Sequence, residues 1–145
     1  MHDLHTHSTA SDGTLRPAAL VARAAAVGIE VMALTDHDTL DGLAEAQAAA
    51  VELGLTLVPG VEISVSWGGR TIHILGLGID PAAPELATGL QRLRGFRGWR
   101  AQEIGRRLAA KGIEGAYAGA LALSGDERFV GRTHFARFLV QCGYA

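Results

Sequence analysis

At 145 residues and 15.2 kDa, with 48% hydrophobic residues and mean hydropathy +0.19, the chain has the length and apolar content of one packed domain, which excludes an intrinsically disordered protein. Its charged fraction of 19%, net charge of −2 and pI of about 6.3 exclude a bulk polycation that would bind duplex DNA non-specifically. One cysteine, Cys142, allows no internal disulfide and no thiolate metal site, no apolar run reaches the roughly 18 residues of a membrane span, and Met1-His2-Asp3-Leu4-His5 lacks the basic start of a signal peptide; a soluble cytoplasmic protein without a membrane partner is expected.

In chain order, Asp3-Leu4-His5-Thr6-His7 reads as a short strand ended by the turn Ser11-Asp12-Gly13-Thr14. Thr14 is expected to cap a helix over about 16–27, with Pro17 tolerated in its first turn and Gly28 closing it. The apolar run 29–34 has the length of a buried parallel strand. Thr35-Asp36-His37-Asp38-Thr39 is then a polar loop into an alanine-rich helix over about 40–53, stopped by Gly54, and 55–58 is the next strand. One of the two acids, Asp36 or Asp38, is expected to cap that helix. The βαβαβ order makes the fold α/β.

After Pro59-Gly60 the apolar period becomes two. Val61, Ile63, Val65 and Trp67 alternate with Glu62, Ser64 and Ser66, and Gly68-Gly69 supplies a two-residue hairpin turn. That turn sets Ser66 against Thr71 and Ser64 against His73, placing Glu62 diagonally across from His73 on the polar face. Residues 78–84, rich in Gly and Pro, mark a boundary between a first domain, 1–80, and a helical subdomain, 81–145. There a helical stretch over 85–111 is expected, interrupted by Gly89, Gly95, Gly98 and Gly105, and a last helix over about 133–141. Phe96, Trp99 and Trp67 are expected to pack inward, and Cys142 to be a small buried residue.

Charge separates the two parts. Residues 1–80 hold 3 Arg against 10 acids, a net of −7, with five of the six histidines; residues 81–145 hold 9 Arg and 1 Lys against 5 acids, a net of +5. His5 and His7, two apart on a strand, project from one face and can reach one ion. Asp12 and His37 fall in turns after strands, where α/β sheets gather their ligands. With Glu62 and His73 they form a set of six oxygen and imidazole donors, which suits Mn²⁺, Fe²⁺ or Zn²⁺ in a multinuclear site that generates hydroxide from bound water. In the basic part, Arg97 and Arg100 share a helix face, and Arg132 with Thr133 and His134 opens a helix whose N-terminal N–H groups can bind phosphate.

The segments Asp3-Leu4-His5-Thr6-His7-Ser8, Ser11-Asp12-Gly13, Leu34-Thr35-Asp36-His37-Asp38, Gly60-Val61-Glu62 and His73 resemble, in order and spacing, the N-terminal motifs of the PHP (polymerase and histidinol phosphatase) family. Val65-Ser66-Trp67-Gly68, His73-Ile74-Leu75-Gly76-Leu77-Gly78-Ile79-Asp80 and Arg132-Thr133-His134-Phe135-Ala136-Arg137 resemble its nucleoside 3′,5′-bisphosphate phosphatases, relatives of enzymes that trim short oligoribonucleotides from the 5′ end. The resemblance implies the N-terminal part of a distorted (β/α)₇ barrel with a helical insertion that grips substrate phosphate. It implies up to three divalent metals, most naturally Mn²⁺: His5, His7 and Glu62 on the first, Glu62 and His73 on the second, Asp12 and His37 on the third. No side chain is expected to act as nucleophile beyond metal-bound water. The family's His-Pro-Gly and Asp-x-His motifs have no counterpart, so a chain truncated inside the insertion is expected, with its last strand presenting an unpaired edge.

The function implied is hydrolysis of the 3′-phosphate of a nucleoside 3′,5′-bisphosphate, with a small nucleotide or short oligoribonucleotide rather than duplex DNA as partner. Two other readings stay open: a histidinol-phosphate-type monoesterase, which has no use for a second phosphate site, and a non-catalytic PHP module. Oligomeric state is not legible.

Overall fold

Three parallel strands and one antiparallel strand form a sheet in the order β1-β2-β3-β4: β1 (His2–Thr6), β2 (Val31–Leu34), β3 (Thr56–Trp67) and β4 (Arg70–Leu77). The computed structural model describes all residues, 1–145. Each parallel crossover carries a helix, α1 (Pro17–Ala26) after β1 and α2 (Leu43–Leu53) after β2, which is the α/β arrangement expected. β2 lies between two neighbours, so Met32, Ala33 and Leu34 are buried whichever way they point. Met32 and Leu34 meet Val21 of α1 and Leu43, Ala46 and Ala50 of α2 in one apolar cluster with Leu55 and Leu57. Fully burying residues such as Met32 and Leu34 contributes roughly 1.5–3 kcal/mol each.

The helix ends differ from the expectation. Thr14 does not cap α1: the boundary residue is Arg16, with no side-chain cap. Pro17 has no N–H to satisfy, and the next donor, Ala18 N–H, reaches Glu45 Oε1 of α2 at 3.3 Å. α2 starts at Leu43 rather than 40, with Gly42 at its boundary, so neither Asp36 nor Asp38 caps it. The polar loop is longer than its composition indicates, and both acids are used elsewhere. The hairpin has the expected register, with Ser64 opposite His73, Ser66 opposite Thr71 and Glu62 opposite Leu75. β4 is an edge strand, and its Ile72 and Ile74 are exposed.

The chain divides into two units, Met1–Gln91 and Arg92–Ala145, within α3 (Pro84–Ala109). α3 runs unbroken through Gly89, Gly95, Gly98 and Gly105, where interruptions were expected. Glycine weakens a helix without ending it, and at Gly105 the missing side chain is needed: a Cβ there would sit 2.6 Å from Tyr117 Cβ. Tyr117 belongs to α4 (Ala116–Ser124), a helix not foreseen, bounded by Gly115 and Gly125 at φ 71° and 76°. A 3₁₀ turn, Glu127–Phe129, and α5 (Arg132–Gln141) follow. Ala101, Ala116, Ala120, Val130 and Phe135 form this unit's core.

Four inward expectations are corrected. Trp67 is 76% exposed at the tip of the hairpin, Phe96 and Trp99 are 53% and 60% exposed on α3, and Cys142 is exposed at the end of α5. The second core is already filled by small residues together with the rings of Phe135, Tyr117 and Phe138. No helix is long and apolar enough to cross a membrane.

Candidate metal centre

Glu62 stands in the middle of β3, 7% exposed, and four imidazoles converge on its carboxylate. His5 Nε2 and His7 Nε2 lie 2.9 and 3.0 Å from Oε2, His37 Nδ1 lies 3.6 Å from the same oxygen, and His73 Nδ1 lies 2.9 Å from Oε1. The rings form a chain, with centroids 5.1 Å apart for His5 and His7, 4.8 Å for His7 and His37, and 4.9 Å for His37 and His73. Asp12 faces the other side of the middle pair, Oδ1 3.6 Å from His7 Nδ1 and Oδ2 3.9 Å from His37 Nε2. All six expected donors thus come together, while the hairpin diagonal between Glu62 and His73 closes to hydrogen-bond distance.

Local structure holds these side chains in place. The turn that carries Asp12 folds back on β1 through Ser11 N–H and Gly13 N–H to Ser8 C=O, at 3.1 and 2.8 Å. A Cβ on Gly13 would collide with the carbonyl of His7, so only glycine allows that return. The turn is then tied to the next loop by Asp36, buried at 2% exposure. Its carboxylate accepts Ser8 N–H at 2.7 Å, Ser8 Oγ–H at 2.7 Å and Ser11 Oγ–H at 2.6 Å.

The loop itself adds a rung to the sheet. Glu62 N–H donates to Asp36 C=O at 3.2 Å and Asp38 N–H to Glu62 C=O at 3.0 Å, which bridges His37 to Glu62 in parallel fashion. Asp38 carries φ 54°, a conformation its short polar side chain tolerates, and its Oδ1 accepts Ser64 N–H at 2.8 Å. Asp36, Asp38, Ser8 and Ser11 were missed as functional residues. Their signal was adjacency, since each flanks a donor in sequence, but nothing local shows that Asp36 reaches back 28 residues.

The electrostatics favour cations. Burial raises the Glu62 carboxyl, but the hydrogen bond from His5 and the charges of His37, His7 and His5 outweigh it and hold the group below the ordinary glutamate value. His7 Nδ1 is buried without a hydrogen-bond partner, a state that costs about 1–3 kcal/mol unless something takes up the lone pair or proton. In three groups one donor atom from each residue lies within 4.8 Å of the others: His5, His7 and Glu62; His7, Asp12 and His37; His37, Glu62 and His73. The donor set, imidazole and carboxylate without thiolate, fits divalent transition-metal ions, and sharing His7, His37 and Glu62 between groups fits more than one of them.

The expected phosphate-holding residues lie in the second unit. Arg132 is exposed at the first turn of α5, beside half-buried Thr133. His134 is buried, and its Nδ1 accepts Gly131 N–H at 3.1 Å, so this imidazole caps the helix start. Arg97 is 5% exposed, with Nη1 3.7 Å from where a Gly131 Cβ would stand, and Arg100 is half-buried on the same helix.

Comparison with known proteins adds a family. The PHP domain model matches residues 3–125. The 3′,5′-nucleoside bisphosphate phosphatase of Chromobacterium violaceum is 52% identical over 97% of this chain and 50% of its own length. The 5′-3′ exoribonuclease Rnm of Escherichia coli is 46% identical over 100% of this chain and 50% of its own. Among solved structures, an amidohydrolase of Chromobacterium violaceum, with bound sulfate and no metal, superposes with a TM-score of 0.96 at 51% identity, covering 99% of this chain and 51% of its own. The chain therefore spans about half the length of the relatives it matches.

Proposed function

This chain belongs to the PHP domain family, and from that premise we propose that it carries the metal-holding part of a phosphoesterase acting on small nucleotides, with the 3′-phosphate of a nucleoside 3′,5′-bisphosphate as the bond hydrolysed. The observation that supports it most is the convergence of four imidazoles and Asp12 about one buried glutamate, with a buried His7 nitrogen left for a ligand. The residues that would hold the ions are His5, His7, Asp12, His37, Glu62 and His73, and manganese is the ion proposed, with Fe²⁺ and Zn²⁺ as alternatives. Bound divalent cations supply Lewis-acid polarisation of the phosphoryl group and a water acidic enough to attack near neutral pH.

The chain's own residues do the rest. Glu62 orients His5 and His73 through its two oxygens and keeps its charge at neutral pH. Asp36 and Asp38 hold the backbone on either side of His37, so that its ring faces both Glu62 and Asp12. Arg132, with the α5 N-terminus, is proposed to take a second phosphate, aided by Arg97, Arg100, Thr133 and His134; His134 acts there by fixing the helix start. A short oligoribonucleotide offers the same phosphate chemistry, and the exoribonuclease relative supports 5′-end trimming as a second activity. Cys142, a lone exposed thiol, fits a reducing compartment, and the cytoplasm is the proposed location.

The test is phosphate release by the protein that carries this chain, on a nucleoside 3′,5′-bisphosphate and on a simple phosphate monoester, with metal content measured alongside. Release from the bisphosphate that disappears in Glu62→Gln together with bound metal supports the proposal. Equal rates on both substrates would favour a plain monoesterase, and absence of bound metal in the wild type would remove the phosphoesterase reading altogether.

A further inference from the structure

α3 carries a feature that the metal centre does not use. Phe96 and Trp99, three residues apart, lie against each other with ring planes tilted by 34° and centroids 5.4 Å apart, yet stand 53% and 60% exposed. Two glycines share the face beside Trp99. At Gly95 a Cβ would meet nothing within 4 Å, and at Gly98 it would meet only the carbonyl oxygen of Glu127, at 3.9 Å. Neither has positive φ, and neither admits a neighbouring backbone as Gly105 does. What their missing side chains leave is space.

That space is a cleft of about 200 Å³ lined by Gly95, Gly98, Trp99 and Gln102, with Arg94, Arg128 and the acid Glu127 completing it. Sites that enclose a whole small molecule run to roughly 300–1,000 Å³, so this one suits a single ring system. Arg128 is preorganised at the edge, its Nε 3.0 Å from Asp126 Oδ2 and its guanidinium 5.5 Å from the centroid of Phe129. Residues 92–145 hold ten Lys and Arg against four acids, which complements a polyanion. An exposed aromatic face next to a cationic edge is the pairing by which single-stranded nucleic acids are held without reading sequence.

We propose that this cleft binds one nucleobase of a single-stranded oligoribonucleotide, stacked on Trp99, with the neighbouring phosphate against the Arg94 and Arg128 edge. The proposal rests on the nucleotide reading above and extends it to a substrate longer than one nucleotide. Gln102, with an amide that both donates and accepts, can meet the edge of any base, so tolerance of base identity is expected.

This chain has two tryptophans, so Trp67→Phe leaves Trp99 as its one indole reporter. In metal-free protein, where hydrolysis does not consume the ligand, titration with a mixed-sequence pentaribonucleotide should quench Trp99 emission to saturation, while orthophosphate and ribose 5-phosphate, which lack a base, should not. Gly98→Leu fills the cleft from a helix position that tolerates a side chain. It should weaken the pentaribonucleotide at least about tenfold, the scale of one base–aromatic stack, with helical circular dichroism unchanged. Arg128→Gln should flatten the dependence of affinity on salt.

Absence of quenching, or quenching unaltered by Gly98→Leu in a folded protein, overturns the proposal. So does a Trp99 blue shift that grows with protein concentration alone, which would mean that a second copy covers the face. Phosphate release from a nucleoside bisphosphate is followed separately: release without quenching removes the cleft and spares the phosphoesterase reading, whereas quenching without release supports the cleft by itself.

Discussion

The two units solve opposite problems. Residues 1–91 crowd acids and imidazoles that would be costly to bury unpaired, and hold them with backbone: strand register, a parallel rung between His37 and Glu62, and a turn that only Gly13 permits. Residues 92–145 have few buried charges to manage and are built by close approach of helices through Gly105 and Gly119, leaving arginines and aromatic rings on the surface. The contrast teaches that a dense polar site requires positional control from the main chain, whereas a helical cluster with a small-residue core can leave its large side chains outside for binding.

Variants can break that contrast at its strongest point first. Glu62→Gln keeps the shape but removes the charge shared by four imidazoles, and the fall in metal affinity should exceed the roughly 10–100-fold typical of losing a group behind a ligand; isothermal titration with Mn²⁺ measures it. Asp36→Ala should come next, at about 3 kcal/mol of stability, because it strands the buried Ser8 N–H and two hydroxyls. Its signature is loss of metal sites along with the lowered unfolding midpoint, since the Asp12 turn is released. If the midpoint falls while full metal stoichiometry survives, the main chain does not control the site.

Weaker perturbations sharpen the comparison. Gly119→Ala drives a methyl into the ring of Phe138 and should cost roughly 1–3 kcal/mol in the second unit, with Mn²⁺ binding by the first unchanged. Arg132→Ala should weaken a two-phosphate ligand by about 1.5–3 kcal/mol and leave a one-phosphate ligand nearly untouched, as steady-state kinetics on both would show. The smallest effect concerns acid. Glu62 sits below the ordinary glutamate value in the folded protein, so its contribution is complete above that value and fades as pH falls through its own lower one. Glu103, pushed down to about 2 by its hydrogen bonds to Arg106 and Arg107, has the same sign, but those two arginines are exposed to solvent. Melting curves of metal-free wild type and Glu62→Gln between pH 6 and 3 should therefore converge toward the acid end; parallel curves would mean that the imidazoles do not stabilise the folded carboxylate.

Much of the first unit was legible because its signals are local. The pairing of His5 with His7, although β1 ends at Thr6 and leaves His7 just past it, and the Gly68-Gly69 turn that sets Ser64 against His73 follow from strand period and hairpin geometry. Helix ends and interruptions were less legible. Gly95 and Gly98 look like breaks in a sequence, but a helix tolerates glycine, and only packing distinguishes Gly105, needed for Tyr117, from glycines that open a cleft.

By itself, then, the sequence determined the α/β order and the hairpin register, because each depends on residues within one or two turns or strands of each other. Only the tertiary structure decided that Asp36 ties the Asp12 turn to the His37 loop, that Asp38 serves Ser64 rather than a helix, and that Phe96 and Trp99 face water. Those outcomes depend on which distant groups compete for the same hydrogen bond or the same buried volume, and that competition is settled only when the chain closes on itself.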